Sequence, residues 1–134
     1  MFPYKGQSLH LRTSVPLYDE MVFHIVIADN IMEAHSQLKV PYQSDSCVNG
    51  VGGEIHMDDG AYDVYFFINR THLTYEWIGH ELSHATNCIS GKVGITPSRD
   101  NDEADARIAG FLHAWTYKQL EKVGLKVTHK PVKE

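Results

Sequence analysis

An α+β fold is predicted by three features of this 134-residue sequence. The run MVFHIVIA (21–28) is β-branched and almost wholly apolar, which suits a strand buried on both faces. GEIHM (53–57) and YDVYFFIN (62–69) are strand-forming runs separated by DDGA, and Asp-Gly favours the positive φ values of a tight hairpin turn. Two long helical segments with cap residues at both ends then close the chain. A hydrophobic fraction of 43% in a chain of this length fills one core, so a single domain over 1–134 is expected.

In order along the chain, SLHLRT (8–13) alternates as a short strand that Val15 and Pro16 end. The strand 21–28 follows. Asp29 can cap a helix over 30–38, with Ile31, Met32, His35 and Leu38 along one side. Pro41 to Gly53 carries the Pro, Ser, Asp, Asn and Gly of an irregular loop. After the strands 53–57 and 62–68, Asn69 or Thr71 caps a helix over about 72–89, which Ser90 and Gly91 close. The loop KVGITPSRDN leads to the last helix, about 101–123, with Asp100 or Asn101 as cap, acidic residues in its first turn and Gly124 beyond it. The sum is a small sheet of about four strands with two long helices.

Composition excludes several function classes. A formal net charge of −5 provides no basic stripe for nucleic acid. The locally basic KVGLKVTHKPVKE reads as a solvated tail. No apolar run approaches the ~20 residues of a membrane span. MFPYKGQSLHLR lacks the apolar centre of a signal peptide, so a soluble protein of the cytoplasm or another intracellular compartment is expected, or one released without an encoded leader. Cys47 and Cys88 are too few for a disulfide framework and read as free thiols, Cys88 packing on a helix.

The chemistry gathers in WIGHELSHAT (77–86). Residues four apart on a helix lie one above the other, so His80 and His84 can share a metal ion. Glu81 sits about 100° around the helix, beside that face and able to reach a metal-bound water without ligating the metal. Zinc acidifies such a water, the carboxylate takes its proton, and a polarised carbonyl is attacked. With nine histidines in the chain the five residues alone do not make a site. Their surroundings strengthen it: Leu82 and Ser83 are uncharged, Trp77 and Ile78 give an apolar approach, and Ala85 leaves room behind His84.

Catalytic zinc takes three protein ligands and a water. The third can come from Asp100, Asp102, Glu103 or Asp105 in SRDNDEADARIAGFL. Glu103 is preferred, because Ala106 and Gly110 fall three and seven residues later and would let that face lie close against the histidine helix. Asp105 or Asp100 could orient a ligating imidazole through its other N–H. The competing reading of the cluster is ordinary acidic capping of a helix dipole.

HELSH followed by Glu103, nineteen positions after His84 and with Ala106 in an E-x-x-A arrangement, resembles the gluzincin group of zinc metallopeptidases, and in size and element order their smallest members, the minigluzincins. The likeness covers residues 50–115 and is schematic before them. It implies a zincin-like fold, one zinc ion held by His80, His84 and Glu103, and Glu81 as general base. It also implies that 62–68 is parallel to its sheet and 53–57 is an antiparallel edge along the cleft, to which a peptide or protein substrate adds as a strand. Small stand-alone proteins of this kind are frequent in phages and mobile elements. Position 107 departs from the thermolysin-like pattern, being arginine where those members have an aspartate. His56, Tyr62, Arg107 and His113 are all open as donors to the transition state.

His10, His24, His35, His72 and His129 have no partner at metal spacing and read as core-edge or surface residues. His113 is ten residues beyond Glu103, roughly 15 Å along the helix, too far to share its ion. The expected function is zinc-dependent hydrolysis of a peptide bond. The rivals are a non-catalytic zinc-binding interaction module on the same scaffold, for which the intact Glu81 would have no use, and a purely structural metal site.

Overall fold

A computed structural model describes residues 8–38, 53–57, 62–95, 98 and 102–131. Strand β1 (Leu9–Val15) turns through Pro16 and Leu17 into β2 (Tyr18–Ala28), followed by helix α1 (Ile31–Leu38), β3 (Gly53–Met57) and β4 (Asp63–Asn69). A 3₁₀ turn (Arg70–His72) then leads to α2 (Tyr75–Lys92) and α3 (Asp102–Lys122). The sheet order is β1-β2-β4-β3, with β2 and β4 parallel and the two outer pairs antiparallel. The fold is therefore mixed α+β, and β4 and β3 hold the parallel and antiparallel-edge places expected of them. The expected Asp-Gly turn between them and the loop from Pro41 lie outside the described residues.

Alternation along the central strands divides the core in two. Phe23, Ile25 and Ile27 of β2 and Val64, Phe66 and Ile68 of β4 face α2 and α3, where Ile78, Leu82, Ala85, Ile89, Ile108, Leu112 and Leu120 meet them. On the other face Val26, Ala28 and Phe67 are covered by Ile31 and Ala34 of α1. Both faces of β2 are thus buried from Phe23 to Ala28, as its apolar run requires. No helix among the described residues is long and apolar enough to cross a membrane.

Several boundaries differ from the sequence reading for local reasons. β2 begins at Tyr18, three residues early, because Pro16 and Leu17 make a tight reversal in which Leu17 takes φ +72. A leucine there is unfavourable by about 1–2 kcal/mol, so no turn was legible. Asn30, not Asp29, caps α1: its side chain accepts from Glu33 N–H at 3.0 Å, while Asp29 pairs with Arg70 at 2.8 Å. Met32 is 55% exposed, and the buried side of α1 is Ile31, Ala34 and His35. Helix α2 runs through Ser90 and Gly91 and stops one turn later, where Gly94 adopts φ +83. Ile95 N–H then reaches Ser90 C=O at 2.8 Å, and Gly94 N–H reaches Gly91 C=O, satisfying carbonyls that the helix end leaves open. Gly124 (φ +77) ends α3 in the same way, as expected of it.

Strand pairing also joins histidines that no sequence spacing connects. Nε2 of the buried His24 lies 2.7 Å from Asp63 Oδ1, and its Nδ1 lies 2.8 Å from His10 Nε2. Tyr65 stacks on His24 with ring centroids 4.2 Å apart. Burial, then the neighbouring His24 and Arg12, hold the His10 pKa below its ordinary 6.5. The unfolded chain therefore takes up this proton first as pH falls. The contribution of His10 is complete above about pH 6.5 and is lost as pH drops from there toward the lower folded value. Urea midpoints measured between about pH 7.5 and 5.5 should fall for the native chain, and less steeply for His10→Gln. Equal slopes would show that the His10 shift has no weight in folding.

Candidate metal centre

The end of β4 is clamped before α2 begins. Asn69 Nδ2 donates to Asp29 C=O at 3.1 Å, and Asn69 Oδ1 accepts from Thr71 N–H at 2.9 Å, so Asn69 caps the 3₁₀ turn and not α2. Thr74 caps α2 instead, its hydroxyl accepting from Trp77 N–H at 3.1 Å. A strand-like bridge pins the same point from the other side. Thr128 N–H donates to Leu73 C=O at 3.0 Å, and Tyr75 N–H donates to Thr128 C=O at 3.1 Å. The segment after α3 is thus docked: Leu125 and Val127 pack on the core, which corrects the expectation of a solvated tail for residues 125–131.

From this fixed start, Ile78, Leu82, Ala85 and Ile89 recur on one side of α2 and are wholly buried. That stripe turns His80 and His84 outward together. Their Nε2 atoms lie 3.2 Å apart, with ring centroids at 4.8 Å and planes at 76°. Two imidazole nitrogens bound to one tetrahedral zinc at about 2.0–2.1 Å would be roughly 3.3–3.4 Å apart. The separation is therefore compatible with a shared ion, and equally within reach of a single N–H···N hydrogen bond. Glu81 is only 6% exposed, and its Oε1 is 3.9 Å from His80 Nε2. His80 and His84 on one face with Glu81 beside it follows the sequence reading, in which the burial of Glu81 had no part.

Glu103 is not gathered with them. Among the described residues no group of three or more His, Cys, Asp and Glu side chains could hold a metal ion. The reason lies in helix register. Ser90 Oγ donates to Asp105 Oδ1 at one end of the α2/α3 pair, and Tyr75 faces Tyr117 at 5.9 Å between ring centroids at the other, so the helices are antiparallel. Glu103 then lies level with the end of α2, seven residues or about 10 Å along the axis from His84. Its side chain is 77% exposed and accepts from Arg107 Nε at 3.3 Å. Ala106 and Gly110 are also exposed, and a Cβ built at Gly110 would meet nothing within 4 Å. The close approach that favoured Glu103 is absent, because α3 buries Ile108, Leu112, Thr116 and Leu120 instead.

The other acidic candidates are accounted for separately. Asp102 is exposed in the first turn of α3, and Asp105 takes the Ser90 hydroxyl; Asp100 lies outside the described residues. Of the four possible transition-state donors, His56 is on the α1 face of the sheet, its ring 5.9 Å from His35, and so cannot serve α2. Tyr62 sits under Lys92 Nζ at 5.1 Å, at the far end of α2. Arg107 is engaged with Glu103, and His113 Nδ1 donates to Ala109 C=O at 2.7 Å.

A cavity opens beside His80, lined by Thr74, Glu76, Trp77, His129 and Pro131 as well. Trp77 stands between His72 and His80, with ring centroids at 6.2 and 6.4 Å. His129 packs on Tyr75 at 5.0 Å. The roles of His129 and Pro131 were not legible, because they depend on a chain reversal more than fifty residues after Thr74. Set against models of known protein families, curated proteins and solved structures, the chain matches none of them.

Proposed function

We propose that the protein is a zinc-dependent metallopeptidase of zincin-like fold that hydrolyses a peptide bond, with His80 and His84 as zinc ligands and Glu81 as general base. The observation that carries this reading is the 3.2 Å approach of the two Nε2 atoms beside a buried carboxylate. Zinc, when bound, supplies a Lewis acid and a water acidic enough to react near neutral pH. His80 and His84 would hold it as neutral imidazoles. Glu81 accepts a proton at its carboxylate and delivers it to the leaving amine. Burial beside the apolar stripe of α2 keeps that carboxylate in one place and away from competing bulk water. Among the described residues no strand pairs with the outer edge of β3, next to α2, and in this reading that edge gives a peptide backbone its hydrogen bonds as an added strand.

Glu103 enters as third ligand from the gluzincin resemblance alone. To ligate, Glu103 would have to leave Arg107 and close the axial offset of about 10 Å from His84. The second reading is a non-catalytic zinc-binding interaction module; the position of Glu103 beside Arg107 weighs against the enzyme without favouring a zinc site of either kind.

Metal content after dialysis separates the ligand sets. The native chain should hold one zinc per chain, and His84→Ala should lose it. Glu103→Ala should weaken binding by an order of magnitude or more, with Asp102→Ala unchanged. Zinc kept by Glu103→Ala and lost by Asp102→Ala would refute the assignment of Glu103. For catalysis, Glu81→Gln should keep zinc and lose at least a hundredfold in hydrolysis of unstructured protein substrates. A zinc-loaded native chain that cleaves no peptide or protein, itself included, would favour the interaction module.

A further inference from the structure

The cavity beside His80 has a volume of about 290 Å³, room for one amino-acid side chain, which is the small end of the range for ligand sites. Its chemistry is uneven. Trp77, His129 and Pro131 supply flat, largely apolar walls, Glu76 is the acidic residue of the lining, and among the described residues no lysine or arginine lines it. An aromatic wall with one carboxylate suits a cation that brings a long apolar stem, which is the form of an arginine or lysine side chain.

The walls come from two distant parts of the sequence. Thr74, Glu76 and Trp77 belong to the cap and first turn of α2, and His129 and Pro131 belong to the segment after α3. They are held together by the backbone bonds of Thr128 to Leu73 and Tyr75. The Thr128 hydroxyl, donating to Lys130 C=O at 2.7 Å, shapes the turn that carries His129 into place. The cavity is open to solvent, with Glu76, His80, His129 and Pro131 exposed along it, and the backbone bonds fix the spacing of its two walls. It also shares His80 with the metal centre, so a group seated in it lies directly beside the reacting bond.

We propose that this cavity selects a basic side chain, arginine or lysine, adjacent to the bond that is cut, and that Glu76 and the 125–131 segment are its specificity determinants. The assignment of the cavity to a substrate residue rests on the metallopeptidase reading; its preference for a cation rests on the lining alone.

The test is binding to the metal-free full-length protein, followed by the Trp77 indole resonance in NMR titrations. N-acetyl-arginine amide should shift that resonance and bind at least fivefold more tightly than N-acetyl-leucine amide or N-acetyl-glutamate amide. Glu76→Gln should reduce the arginine preference severalfold, and His129→Ala should weaken binding, both with unchanged melting temperature. Should either variant fold poorly, raised salt on the native chain provides the second measurement, and it should weaken the arginine amide selectively. Equal or tighter binding of the leucine amide, or an arginine preference that survives Glu76→Gln, would overturn the proposal. An arginine preference in a protein that holds zinc but cleaves nothing would uphold the selectivity of the cavity and refute the peptidase reading, so the two failures are distinct.

Discussion

Ile78, Leu82, Ala85 and Ile89 lie along one side of α2 and are buried against β3 and β4. Each large side chain among them contributes about 1.5–3 kcal/mol by leaving water, so the helix has one rotational setting that is stable by several kilocalories. That setting decides the chemistry. With Leu82 inward, the 100° step of the helix turns Glu81 toward the packed side and leaves His80 and His84 together on the open one. The imidazoles meet at 3.2 Å because the helix was rotated by its apolar residues, not because the histidines attract each other.

The same constraint requires both ends of α2 to be fixed, and the chain spends distant residues on this. Asn69, Arg70 and Asp29 tie the exit of β4 to the end of β2. Thr74 begins the helix, Thr128 pins that point from the far end of the sequence, and Gly94 closes the other terminus. The C-terminal segment has two effects at once. It stabilises the first turn of the helix that carries His80 and His84, and it walls the cavity next to His80.

Elements with local causes were legible in the sequence: the doubly buried strand at 21–28, the edge and central strands at 53–57 and 62–68, both long helices, and the glycine that ends α3. So was the His80–His84 pair, since it follows from helical periodicity; Glu81 read as standing beside that face, and its burial was not legible. What was not legible depends on register between distant elements. Ala106 and Gly110 read as a smooth contact face for α2, but Ile108 and Leu112 outweigh them and turn that stripe to solvent with Glu103. The contact of His10 with His24 and Asp63 arises only once three strands are aligned. Met32 fitted an apolar stripe on α1, yet Ala34 took the buried place because a small residue lets α1 lie close to Val26 and Phe67.

The central claim is that one zinc ion is held by both His80 and His84. X-ray absorption at the zinc edge of the stoichiometrically loaded protein reads it directly. Two imidazole nitrogens at about 2.0–2.1 Å are predicted for the native chain, and no retained zinc for His84→Ala. A zinc environment with no imidazole, or one unchanged by His84→Ala, would contradict the account.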